Sequence, residues 1–226
     1  MKTFLNLSDY KEVNEVVNSS FTERLIIFHA IMNECDPLES QRLPVGKLRE
    51  FFAKHNNILE IPREETKRIE LYRLRIFENL TLREFIDLET MIKDGYVENL
   101  SFIASVLFQN PKEEYTSINL DERAGYFDKI NFYLVMPSVE KYLRFRQRIF
   151  ESYNIFEESL ADEDVTGLTD EEIKIYVEEL EKEKKKNTWH GVLSKLSNDD
   201  ITKFNDVLDL SFVLCLNHLS YLKSIS

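Results

Sequence analysis

The stretch NLTLREFIDLETMIKDGYVENLSFIASVLFQNP, residues 79–111, decides how the chain reads. With Leu82 at zero on a wheel of about 100° per residue, Leu82, Phe85, Ile86, Leu88 and Ile92 share one arc, which predicts an amphipathic helix. TLRE (Thr81 to Glu84) supplies its start as a capping box: the hydroxyl accepts from an early backbone N–H and the glutamate reaches back. Two charges break the apolar arc. Glu89 points into it, and Lys93 follows one turn later. An unpaired buried carboxylate is costly and tends to take up a proton. A Glu-to-Lys pair at i,i+4 is in the favourable order, and Arg146 is the other charge that falls inside an apolar stripe. Glu89 is therefore expected to be half of a structural ion pair, with Lys93 or Arg146 as its partner. A general acid would need a second polar group, and this helix offers no neighbouring His, Cys or second inward acid.

The same grammar extends along the chain. SFTE (Ser20 to Glu23) and TDEE (Thr169 to Glu172) repeat the capping box. Phe21, Leu25, Phe28 and Met32 form a helical stripe, and so do Val45, Leu48 and Phe52. Pro62 ahead of REETKRIELYRLRIF suits a first helical turn, which predicts a helix carrying Ile69, Tyr72, Ile76 and Leu80. Val139, Tyr142, Leu143, Ile149, Phe150 and Tyr153 make a long stripe, and Trp189, Val192, Leu193 and Leu196 a shorter one. LDERAGYFDKINFYLVM (120–136) is read as helix, because no second strand-like run is evident to pair with NFYLVM. VLDLSFVLCLNHLSYL (207–222) carries Asp209, Asn217 and His218 and is too short for a membrane span, so it is read as a buried helix.

Composition agrees. The 226 residues are 43% hydrophobic and 12% aromatic, with only five glycines and five prolines. Scarce turn formers favour helices. The expected fold is all-α, a compact multi-helix globule with a protruding charged segment. Its parts are a helical body over 1–156, an acidic connector and charged helix over 157–187, and C-terminal helices over 188–226 packing on the body. A net charge of −12 argues against a general grip on nucleic acid phosphates and fits a basic partner. MKTFLNLSDYKEV has no signal-peptide apolar run. Cys35 and Cys215, in apolar helical surroundings, read as buried thiols and not as a disulfide.

Motifs for chemistry are incomplete. Asp162, Asp164, Thr166, Gly167 and Asp170 imitate an EF-hand loop, but Ile173 stands where its bidentate glutamate belongs. His218 lies three residues after Cys215, and two ligands do not make a zinc site. His29, His55 and His190 are scattered. No phosphate-binding glycine loop is present. Arginines among aromatics, as in KYLRFRQRIF with Lys141, Arg144, Arg146 and Arg148, read as core aromatics beside solvated or acid-paired cations. No catalytic residue, cofactor or metal is expected.

Two blocks carry a resemblance. LTLREFIDLETMIKDGYVENLSFIASVLFQ (80–109) is a FIDLE helix followed by an apolar helix. WHGVLSKLSNDDITKFNDVLDLSFVLCLNHLSYLK (189–223) has Trp189, an apolar turn, DDITKF and an apolar closing helix. Together they resemble small helical structural and assembly proteins of large tailed bacteriophages. These include tail-assembly-chaperone-like proteins and virion-associated proteins of crAss-like phages of gut Bacteroidetes. The resemblance covers about a third of the chain. It implies a non-catalytic bacteriophage protein acting by protein–protein contact in virion or tail assembly, in the virion or the host cytoplasm. The implied partners are other phage structural or assembly proteins or a second copy of the chain, with no membrane. Trp189 and His190, heading the second block, are the expected partner contacts. The alternative is an acidic phage inhibitor of a host defence protein that mimics DNA, which would need carboxylates spaced like phosphates over one rigid face.

Overall fold

The computed structural model describes residues 2, 4–15, 20–59, 65–153 and 188–225. The EF-hand-like run, the TDEE box and the whole 157–187 segment lie outside the described residues. Eleven α-helices and a small three-stranded sheet make up the described chain, so the fold is mostly α-helical, as expected. The helices are α1 (Leu7–Glu15), α2 (Phe21–Asn33), α3 (Pro37–Gln41), α4 (Val45–His55), α5 (Leu82–Lys93) and α6 (Leu100–Leu107). They continue with α7 (Ser117–Phe127), α8 (Phe132–Tyr153), α9 (Trp189–Ser197), α10 (Phe204–Leu208) and α11 (Phe212–Ile225).

Local chemistry sets these helices. At α2 both halves of the Ser20–Glu23 capping box are present, and Glu34 ends the helix in the left-handed conformation at φ 55°. At α5 the second box also forms. The Thr81 N–H donates to Glu84 Oε2 at 2.8 Å, and the Glu84 N–H donates to Thr81 Oγ1 at 3.2 Å. Asp36 caps α3 with Pro37 in its first turn, and Thr116 caps α7. NFYLVM is helical from Phe132, as expected, but the stretch 120–136 is split between α7 and α8 by the turn at 128–131, and α8 runs on through Pro137.

One expected helix is a hairpin. Strands β1 (Arg68–Ile69) and β2 (Tyr72–Leu74) pair antiparallel around Glu70 and Leu71, and β3 (Phe108–Gln109) adds to β2. Ile69, Tyr72 and Ile76 had read as one helical stripe. The reversal is made possible by Glu70, which takes φ 50°. It is stabilised by a distant partner, β3, that local spacing does not reveal.

The chain divides into two compact units: residues 1–75 with 88–143, and residues 76–87 with 144–226. The division falls inside α5 and α8. In the first unit α6 packs on α7, α2 on α3 and α4, and α1 on α2 and α6. Leu5, Leu7, Phe28, Leu88, Leu107, Phe127 and Phe132 are completely buried there. In the second unit Phe85 stacks on Phe212 at 4.4 Å and meets Trp189 edge-on at 5.7 Å, while Phe145 touches both Phe77 and Phe212.

Each unit is closed by the same device. In the first, Asn6 and Asn131 form an antiparallel bridge, in which Leu7 N–H donates to Ile130 O and Phe132 N–H to Leu5 O. In the second, Thr81 and Ser211 form one, with Leu82 N–H donating to Leu210 O and Phe212 N–H to Leu80 O. All four segments read apolar–polar–apolar (Leu5-Asn6-Leu7, Leu80-Thr81-Leu82, Ile130-Asn131-Phe132, Leu210-Ser211-Phe212), and a helix begins at the third residue of each. The 210–211 segment thereby breaks the stretch read as one buried helix into α10 and α11.

Candidate functional site

The residues expected to matter fall in different settings. Glu89 is buried at 6% exposure on α5, as its position in the apolar arc requires. Lys93, one turn on, is exposed. Arg146 on α8 is half-buried, with its guanidinium 4.4 Å from the centre of the Phe150 ring. Trp189 opens α9, whose N-terminus is capped by Thr188, and its ring is half-buried against Phe85. That placement gives Trp189 a packing contact within the second unit. His190 faces out, with its ring edge-on to Phe204 on α10 at 5.7 Å.

Two polar clusters in the first unit were not anticipated. His29 Nδ1 lies 2.9 Å from Ser40 Oγ, which is 3.5 Å from Cys35 Sγ. Burial pushes the His29 pKa down and so favours the neutral imidazole. Ser40 is 1% exposed, which denies its hydroxyl a substrate in this conformation. Arg123, 2% exposed, donates from Nε to Asn119 O, and its guanidinium lies 5.9 Å from the centre of the Tyr115 ring. Burial also pushes Tyr126, three residues on, up to about 12. Among the described residues no three His, Cys, Asp or Glu side chains gather as a metal site, and no helix is long and apolar enough to cross a membrane.

The feature that stands out chemically is apolar surface in the second unit. Ile201, Leu210, Leu214, Tyr221 and Ile225 are all exposed, between 44% and 73%. They lie on the 3-10 turn Ile201–Lys203, on the segment ahead of α11 and on α11 itself. The Asp200 side chain accepts from the Thr202 N–H and hydroxyl and pairs with Lys203, which fixes the turn that presents Ile201. Hydrogen bonds from Thr202 and Lys203 hold the Asp200 carboxyl below its ordinary pKa. Sequence reasoning identified 207–222 as apolar and expected it to be buried. What it lacked was which apolar side of the last helix meets the core. Comparison of the chain with protein-family models, curated proteins and solved structures gives no match.

Proposed function

We propose that the protein is a non-catalytic contact protein that works through the surface of its second unit, as a structural or assembly component of a tailed bacteriophage. The observation that carries the contact role is the concentration of exposed large apolar side chains between Ile201 and Ile225. Apolar surface of this kind, rimmed by polar residues, is what protein partners bury. His190 and Phe204 extend the same unit's surface with an edge-on ring pair. The phage setting is supported by the two sequence blocks, 80–109 and 189–223, and by their pattern of capped helix starts and apolar closing helix.

The test is mass spectrometry of purified phage particles and of assembly intermediates from infected cells. The expected result is the chain co-sedimenting with one of them, and a substitution Ile201→Asp reducing its recovery there. Finding the chain in neither fraction while it is abundant in the lysate would overturn the assignment.

A further inference from the structure

Arg123 on α7 is 2% exposed, and a guanidinium is almost never buried so fully without a partner. Its Nε donates to Asn119 O at 3.2 Å. Nη1 and Nη2 are buried too, and have no hydrogen-bond acceptor among the described residues. Asn119 also holds the loop ahead of the helix. Its Nδ2 donates to Glu114 O at 2.9 Å, and its N–H donates to Thr116 Oγ1 at 3.2 Å. Between those two anchors stands Tyr115, whose half-buried ring lies over the guanidinium at 5.9 Å. A buried charge is costly unless it is paired and hydrogen-bonded. Here the Nε side of the guanidinium is tethered, and the Nη1–Nη2 edge, the one that matches a carboxylate, is unused.

We propose that Arg123 is the binding residue for a small monocarboxylate with an apolar body, admitted when Tyr115 swings aside. The tether to Asn119 fixes the guanidinium plane. It leaves one N–H on each Nη pointing in parallel, a fork that fits the two oxygens of a single carboxylate. The surrounding charge selects a monoanion. Burial pushes the Tyr72 pKa up, Glu113, Glu122 and Glu70 add to the rise, and Arg123 opposes it, so these three acids act on the same neighbourhood. None of them accepts from Arg123, and Glu113 accepts instead from Asn110 Nδ2 at 2.7 Å. Their field repels a phosphate dianion more strongly than a carboxylate. The apolar body is selected by rings. Tyr115 lies over the guanidinium, and Tyr126, one turn along α7 from Arg123, meets Tyr72 at 5.0 Å. Both Nη atoms are covered, so entry requires the 110–116 loop to shift. Two single hydrogen bonds tie that loop to Asn119. All these residues belong to the first unit, so the inference does not rest on the contact role proposed for the second.

Thermal melts of the full chain in rising benzoate at constant ionic strength test this, with benzamide as the neutral isostere. The expected result is a saturable rise in melting temperature with benzoate, none with benzamide, and a smaller one with inorganic phosphate at equal concentration. Arg123→Lys keeps the charge but loses the fork, and should weaken benzoate binding about tenfold or more. Arg123→Met should abolish the response, while the ligand-free variant melts at or above the wild-type temperature, because a buried charge without an acceptor has been removed. Tyr115→Ala should bind benzoate at least as tightly as wild type, since the cover is gone. A wild type indifferent to benzoate overturns the proposal. So does a response matched by benzamide or phosphate, or one unchanged in Arg123→Lys. An Arg123→Met variant that melts well below wild type or fails to fold also overturns it, the guanidinium then serving the fold itself. Weaker binding in Tyr115→Ala overturns the role of Tyr115 as a cover. None of these readings depends on whether phage particles contain the chain, so the two assignments can fail separately.

Discussion

Cys215 illustrates how a single side chain reports its surroundings. It is 2% exposed, and burial pushes its thiol from an ordinary 9.0 up to about 11. It should resist thiol reagents at neutral pH until the protein unfolds, while the half-buried Cys35 reacts in the native state. Counting reactive thiols with and without denaturant checks this. The shift also carries a sign for stability. The folded state holds the proton more tightly than the unfolded chain, so this contribution is complete below pH 9.0 and is lost as pH rises towards about 11. Tyr126, pushed from 10.0 to about 12, adds a loss in the same direction. Melting temperature should therefore fall with rising alkalinity, and less steeply in Cys215→Ala; an unchanged slope in that variant would remove Cys215 as a cause. Glu89 was legible from the wheel because burial follows the arc. As a structural acid, its change to Gln should cost about 1–3 kcal/mol in urea melts at neutral pH. A gain in stability would mark it as a group held for function at the expense of the fold.

Elements were legible to the extent that their determinants are local. The boxes at Ser20 and Thr81 formed as read because all their atoms lie within four residues. The hairpin was not, since Ile69, Tyr72 and Ile76 fit a helical period by spacing alone. What overrides that period is the left-handed Glu70 together with β3, more than thirty residues away. The exposed stripe of α11 escaped for a related reason: a helix apolar on two sides does not announce which side its own core will take. Helix ends permit a direct test. Glu34 closes α2 at φ 55°, is exposed, and has no evident need for its side chain to hold that conformation. Glu34→Gly should remove the steric cost of a Cβ there and raise stability by about 0.5–1 kcal/mol, after allowing for the freer unfolded chain. A loss in chemical denaturation would mean that the glutamate side chain contributes more than its backbone costs.

At the scale of the molecule, the two closing bridges join residues far apart in sequence: 6 with 131, and 81 with 211. Distant closures of this kind slow folding relative to bundles of neighbouring helices. They also interleave, because residue 81 lies between the ends of the first bridge and residue 131 between the ends of the second. Neither unit is therefore a contiguous piece of chain. A fragment 1–143 contains every segment of the first unit, but it also carries Leu80, Leu82 and Phe85, whose cover, Leu210 to Phe212, is missing. It should be prone to aggregation as expressed, and be made soluble by co-expression with 144–226. Full solubility of 1–143 alone would show that its orphaned apolar head finds another shelter. The same order applies on the ribosome. The first unit can close once residue 132 has emerged, but the head of α5 must wait, apolar and uncovered, through the synthesis of some eighty further residues before Phe212 arrives to cap Phe85. Throughout that interval the nascent chain presents a binding site for chaperones, at a position set by the crossing of the two bridges.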